Sequence, residues 1–69
     1  MATIKIKLNG EIREVPGEIS LDHLLELFSL PKQRVAIELN NVVVRRTAWA
    51  ETLVRGSDKI EVVHFVGGG

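Results

Sequence analysis

Sixty-nine residues with nine basic and nine acidic side chains make one small, formally neutral domain, 45% hydrophobic and without cysteine. That size is near the lower limit for a self-sufficient core, and no disulfide or thiol is there to staple it or to do chemistry. A neutral chain with no basic block and only Phe28, Trp49 and Phe65 as aromatics has neither the electrostatic footprint nor the stacking platform of a nucleic-acid binder.

No apolar run approaches the roughly 20 residues a membrane-spanning helix needs. Met1 to Gly10 alternates polar and apolar residues and lacks the apolar core of a signal peptide. The expectation is a cytoplasmic protein with no membrane and no nucleic-acid partner, monomeric when free.

From Thr3 to Leu8 the chain alternates, Ile4, Ile6 and Leu8 on one face and Thr3, Lys5 and Lys7 on the other, which predicts a half-buried strand. Asn9-Gly10 is the strongest short hairpin signal, because both central residues of a type I′ turn need positive φ. Glu11 to Val15 returns as a second strand, ended by Pro16-Gly17. Ser20 is placed to cap a helix in which Leu21, Leu24, Leu25 and Phe28 form one apolar stripe and Asp22 sits in the first turn. Pro31 stops that helix by Ser29 or Leu30.

Arg34 to Leu39 alternates again, Asn40-Asn41 reads as a second tight turn, and Val42 to Val44 as a short strand. Thr47 is expected to cap a single helical turn through Trp49 and Glu51. Gly56-Ser57-Asp58 is a turn, and Lys59 to Phe65 is the last strand, running straight into Val66-Gly67-Gly68-Gly69. The order β-β-α-β-β-(short helix)-β predicts an α+β, two-layer fold in which a mixed sheet of four or five strands packs on one helix. Residues 1–66 form the domain and 67–69 a flexible glycine tail.

No catalytic constellation is visible. Neither nucleotide-binding glycine motif occurs. His23 and His64 have no partner at metal-ligand spacing, so no metal is expected. His23 reads as a solvated helix residue, and His64 as a partly buried strand residue or an edge group. Trp49 reads as an anchor of the short helical turn, its N–H finding a local carbonyl. Arg45-Arg46 reads as a solvated turn, with a partner's carboxylates as the alternative. On the last strand, Ile60 and Val62 suit the core. Val63 and Phe65 have the opposite parity, which one helix cannot cover, so they form either an apolar docking patch or a second small cluster under a loop.

The tail carries the chemistry. Glycine has no Cβ, so such a segment enters a slot only as wide as a backbone. Three extended residues reach roughly 10 Å. Read as the chain end, Gly69 offers a carboxylate that another enzyme can activate; the alternative is a plain terminus or residual linker. A carboxylate is a poor electrophile and needs activation, normally as an acyl-adenylate. With no ATP site in this chain, a separate activating enzyme is implied. The adenylate could then yield a thiocarboxylate, a thioester or an amide.

The element order with its terminal glycines resembles the β-grasp, ubiquitin-like sulfur carriers, and among them the ThiS-like carriers of bacterial thiamine biosynthesis. The resemblance spans essentially all residues. It rests on Asn9-Gly10, Ser20-Leu21-Asp22-His23-Leu24-Leu25, Val35-Ala36-Ile37-Glu38-Leu39-Asn40, Trp49-Ala50-Glu51 and the run Asp58 to Gly69. Val44-Arg45 and Gly56-Ser57-Asp58 depart from the commoner Val-Pro and Asp-Gly-Asp turns of such chains.

The resemblance implies a non-enzymatic cosubstrate that binds no cofactor itself. An E1-like (ThiF-like) adenylating enzyme would spend MgATP on the Gly69 carboxylate. A cysteine desulfurase or rhodanese-type donor would supply sulfur, and a ThiG-like thiazole synthase would receive it. Gly68 and Gly69 match the terminal Gly-Gly of the family, with Gly67, Phe65 and Val63 as partner-binding residues. The alternatives are a MoaD-like small subunit of molybdopterin synthase, a ubiquitin-like protein modifier, and a plain interaction domain.

Overall fold

The computed structural model describes residues 2–65. Its elements are β1 (Thr3–Leu8), β2 (Glu11–Pro16), α1 (Leu21–Leu27), β3 (Val35–Leu39), β4 (Val42–Val44), a 3₁₀ helix (Arg46–Glu51) and β5 (Lys59–His64). The strands form one mixed sheet in the order β2-β1-β5-β3-β4. β1 and β5 run parallel at its centre, and every other pairing is antiparallel. This is the two-layer α+β arrangement of the β-grasp. The division at residue 66, with Gly67 to Gly69 as a separate tail, falls outside the described residues.

The two hairpins are built alike. Asn9 and Gly10 have φ of 50° and 85°, and Asn40 and Asn41 have 52° and 72°. Positive φ at both central residues gives the type I′ turn, whose twist matches the flanking strands. Pro16 closes β2 opposite Thr3, tolerated because β2 is an edge strand whose outer side needs no N–H donor.

Helix α1 starts where the sequence says. The His23 backbone N–H donates to Ser20 Oγ at 3.1 Å. It ends in a full Schellman motif: Leu30 N–H donates to Leu25 O (2.8 Å) and Ser29 N–H to Glu26 O (3.1 Å), with Ser29 at φ 56° where glycine is usual. Leu21, Leu24 and Leu25 are fully buried against Ile6, Val15, Ile37 and Ile60 of the sheet. Burying each leucine contributes about 1.5–3 kcal/mol.

Two details differ from expectation. The 3₁₀ helix begins at Arg46 with Arg45 at the N-cap position and no side-chain cap, so Thr47 lies inside the helix and does not cap it. The segment is fastened by Trp49 instead: the buried indole Nε1–H donates to Val44 O at 3.0 Å, and the Arg46 guanidinium lies 4.6 Å from the ring centroid. Strand β5 stops at His64, one residue short of Phe65, although Phe65 N–H still donates to Arg34 O at 2.9 Å.

The loop after the 3₁₀ helix contributes a core residue that periodicity did not flag. Ser20 and Leu53 form an isolated antiparallel bridge, Leu21 N–H donates to Thr52 O (3.0 Å) and Val54 N–H to Ile19 O (2.8 Å). That places Val54 under the helix, 2% exposed.

Candidate functional site

The candidate site is the outward end of β5, where the strand leaves the sheet. Its beginning is held on both sides. Asn40 Nδ2 donates to Asp58 Oδ1 (3.0 Å), Lys59 N–H donates to Asn40 Oδ1 (2.9 Å), and Arg55 N–H donates to Asp58 Oδ2 (2.8 Å). Next, Ile60 is fully buried between Leu8 of β1 and Leu39 of β3. Beyond Ile60 the β1 partner ends, while β3 continues alongside to His64.

Strand alternation then sorts the side chains. Val62 packs on the edge of the core. Val63 and Phe65 turn to the face without the helix, 48% and 42% exposed. Of the two readings left open for this pair, the exposed patch is the one observed. Two neighbours that the sequence reading missed border it. Ala36 stands directly opposite Val63, and Glu38 opposite Glu61. Parity along β3 was the available signal for both, but using it required knowing that β3 is the strand beside β5.

Both histidine rings are exposed, His23 on the first turn of α1 and His64 on the outward end of β5. Among the described residues no three His, Asp or Glu side chains come together in a way that could hold a metal ion. No helix there is long and apolar enough to cross a membrane. Arg45 and Arg46 are exposed, and Arg46 is occupied with the Trp49 ring.

Among the described residues, Lys32 has a raised pKa. Its ammonium is held above the ordinary lysine value by hydrogen bonds to Glu26 and Asp22, and it lies on the helix side of the molecule. The site residues Gly67, Gly68 and Gly69 lie outside the described residues. What the described geometry offers them is a stem: a strand anchored on both sides at its start and in register with β3 alone past Ile60, with two exposed apolar side chains at that end.

Known proteins share this plan and sequence. The ThiS family model matches residues 6–69. The crystal structure of the thiamine biosynthesis protein ThiS from Geobacter metallireducens superposes with a TM-score of 0.84 at 30% identity, covering 96% of this chain and all of that one. The sulfur carrier protein ThiS of Bacillus subtilis is 31% identical over 65 residues, 93% of this chain and 98% of that protein. A thiazole synthase from Magnetococcus marinus is 39% identical over 66 residues, which are 96% of this chain and only 20% of that larger protein. With the helix, all of the strands but the first three residues of β1, and Gly67 to Gly69 inside the matched region, the chain belongs to the ThiS family.

Proposed function

We propose that this protein is a sulfur carrier rather than an enzyme, and that its working group is the carboxylate of Gly69. The observation that carries the reading is the extent of the family match, which runs through Gly67, Gly68 and Gly69 and not only through the folded domain. The exposed Val63 and Phe65 beside the exit of β5 support a docking role for that end.

The chemistry follows from the carboxylate. One oxygen attacks the α-phosphorus of MgATP held by an E1-like adenylating enzyme, and pyrophosphate leaves. The acyl-adenylate carbonyl is then attacked by a terminal persulfide sulfur from a cysteine desulfurase or rhodanese-type donor, and AMP leaves. The resulting acyl disulfide is opened by a thiol, which takes the donor sulfur into a disulfide and frees the thiocarboxylate. A bare glycine tail suits each step, because no Cβ obstructs a slot closed around the carbonyl. Val63, Phe65 and Gly67 make the contacts with the partners, and ATP and its magnesium belong to the activating enzyme.

A thiazole synthase is the proposed acceptor. The Magnetococcus relative carries a segment like this chain within a thiazole synthase polypeptide, as expected of two modules that work on each other. The sulfur would enter the thiazole ring of thiamine.

The test is the intact mass of the protein after incubation with MgATP, an activating enzyme and a persulfide source. The expected result is a gain of about 16 Da, one oxygen replaced by sulfur, located by fragmentation to Gly69. An unchanged mass with an active enzyme and donor overturns the reading. A thiocarboxylate that thiazole synthase cannot consume but molybdopterin synthase can would move the protein to the other pathway.

A further inference from the structure

We propose that Asn9 is a positioning residue: its side chain holds the outward half of β5 and so sets the direction in which the chain leaves the domain. The first part stands on the backbone geometry. The second, delivery of the carboxylate, rests on the sulfur-carrier reading.

The backbone groups of β5 alternate between its two neighbours. Phe65 N–H donates to Arg34 O and Asn40 N–H to Lys59 O, so the odd residues of this stretch face β3. Lys7 N–H donates to Asp58 O (2.9 Å) and Asn9 N–H to Ile60 O (2.9 Å), so the even residues face β1. On the β1 side the register stops at Leu8 opposite Ile60, because Asn9-Gly10 turns the chain back into β2. Val62 is the next residue due for a partner there. Its N–H donates to Asn9 Oδ1 at 2.8 Å, across 53 residues of sequence.

Asn9 therefore uses its backbone N–H for the last rung of the ladder and its side-chain oxygen for one rung more. The carboxamide oxygen takes the bond that Asn9's own backbone carbonyl would accept if β1 continued instead of turning. The turn itself does not require this. At φ 50° glycine would serve the turn as well as asparagine. What asparagine adds is the acceptor. Without it, the outward half of β5 is laddered on its β3 side alone, and Val63 and Phe65 ride on that half.

Two substitutions separate the roles. Asn9→Gly keeps the positive-φ turn and removes the acceptor. Asn9→Asp keeps both, since aspartate tolerates this turn and a carboxylate oxygen accepts from an N–H. Amide hydrogen exchange reads the structural half in the free protein. Asn9→Gly is expected to speed exchange at Val62 by about fivefold, the loss of one net hydrogen bond. Val63, whose N–H faces β3, should change much less, and Asn9→Asp should restore Val62. Equal change at both amides, or none at Val62, overturns the proposal.

Pyrophosphate exchange with the activating enzyme reads the delivery half. Asn9→Gly is expected to raise KM for the carrier by about fivefold at unchanged kcat, and Asn9→Asp to return it. Faster Val62 exchange with an unchanged KM overturns the positioning role. Wild-type protein that is never adenylated overturns the sulfur-carrier reading and the delivery half with it, while the exchange data still decide whether Asn9 holds the strand.

Discussion

The two faces of the sheet are made from the same strands and follow different rules. The face under α1 collects Ile6, Leu8, Val15, Val35, Ile37 and Ile60, each at most 6% exposed. The other face shows solvent Lys5, Lys7, Ile12, Glu14, Val43, Val63 and Phe65, charged and apolar residues interleaved. Like charges even stand opposite each other there, Lys7 beside Lys59 and Glu38 beside Glu61. Such pairs work against a sheet and do nothing to hold it together. One face thus holds the fold, and the other is open to solvent. β5 belongs to both, with Ile60 in the core and Val63 and Phe65 outside it.

The sharpest break of that comparison is Ile60→Ala. It leaves a cavity at the point where β1, β3 and the helix meet, and is expected to cost about 2–5 kcal/mol. For a domain of this size each kcal/mol lowers Tm by about 4–8 °C, so a fall of at least about 8 °C is expected in thermal unfolding. A smaller shift would mean that the central strand is not where the stability resides.

Phe65→Asp asks the opposite question on the same strand. The ring is 42% exposed and lies beyond the last residue of β5. The expected loss of stability is below about 1 kcal/mol, the range of an exposed sheet-edge substitution. Affinity for the proposed activating enzyme, titrated by fluorescence or calorimetry, should fall by about tenfold or more, as when a central apolar contact is replaced by a charge. A Tm loss comparable to that of Ile60→Ala would make Phe65 part of the core and remove the distinction between the faces.

Much of this was legible from local pattern. Period-two alternation placed β1 and β3, the turns Asn9-Gly10 and Asn40-Asn41 placed the strands that return after them, the turn at Gly56-Ser57-Asp58 preceded β5, and Ser20 gave the helix start, because each signal acts within a few residues. That Val63 and Phe65 sit on the face opposite the helix was legible too, since a single helix covers a single face, while their exposure was one of two readings left open. What was hidden depends on contacts distant in sequence. Val54 is buried by a bridge to the residue before α1. The Asn9 bond to Val62 exists only because β1 and β5 lie side by side with β1 the shorter in register. Nothing in a window of residues announces any of these.

The covered face also has charges at its margin, and pH separates their contribution from that of burial. Lys32 donates to Glu26 Oε2 at 2.6 Å and Asp22 Oδ1 at 3.1 Å, tying the loop after α1 back onto the helix. These contacts raise its pKa above 10.5 in the folded protein, the Glu26 hydrogen bond first among them. A raised folded pKa means that the native state binds the proton more tightly than the unfolded chain does. The stabilisation is therefore complete below pH 10.5 and disappears as the pH rises through the folded value. Lys32→Gln should lower Tm slightly at pH 7, and the gap from wild type should close above pH 10.5. Solvent-exposed pairs are weak, so this is the smallest of the three effects. A gap that persists at high pH would assign the loss to the packed lysine stem rather than to its charge. A gap as large as that of Ile60→Ala would mean that charge, not burial, holds the helix on the sheet.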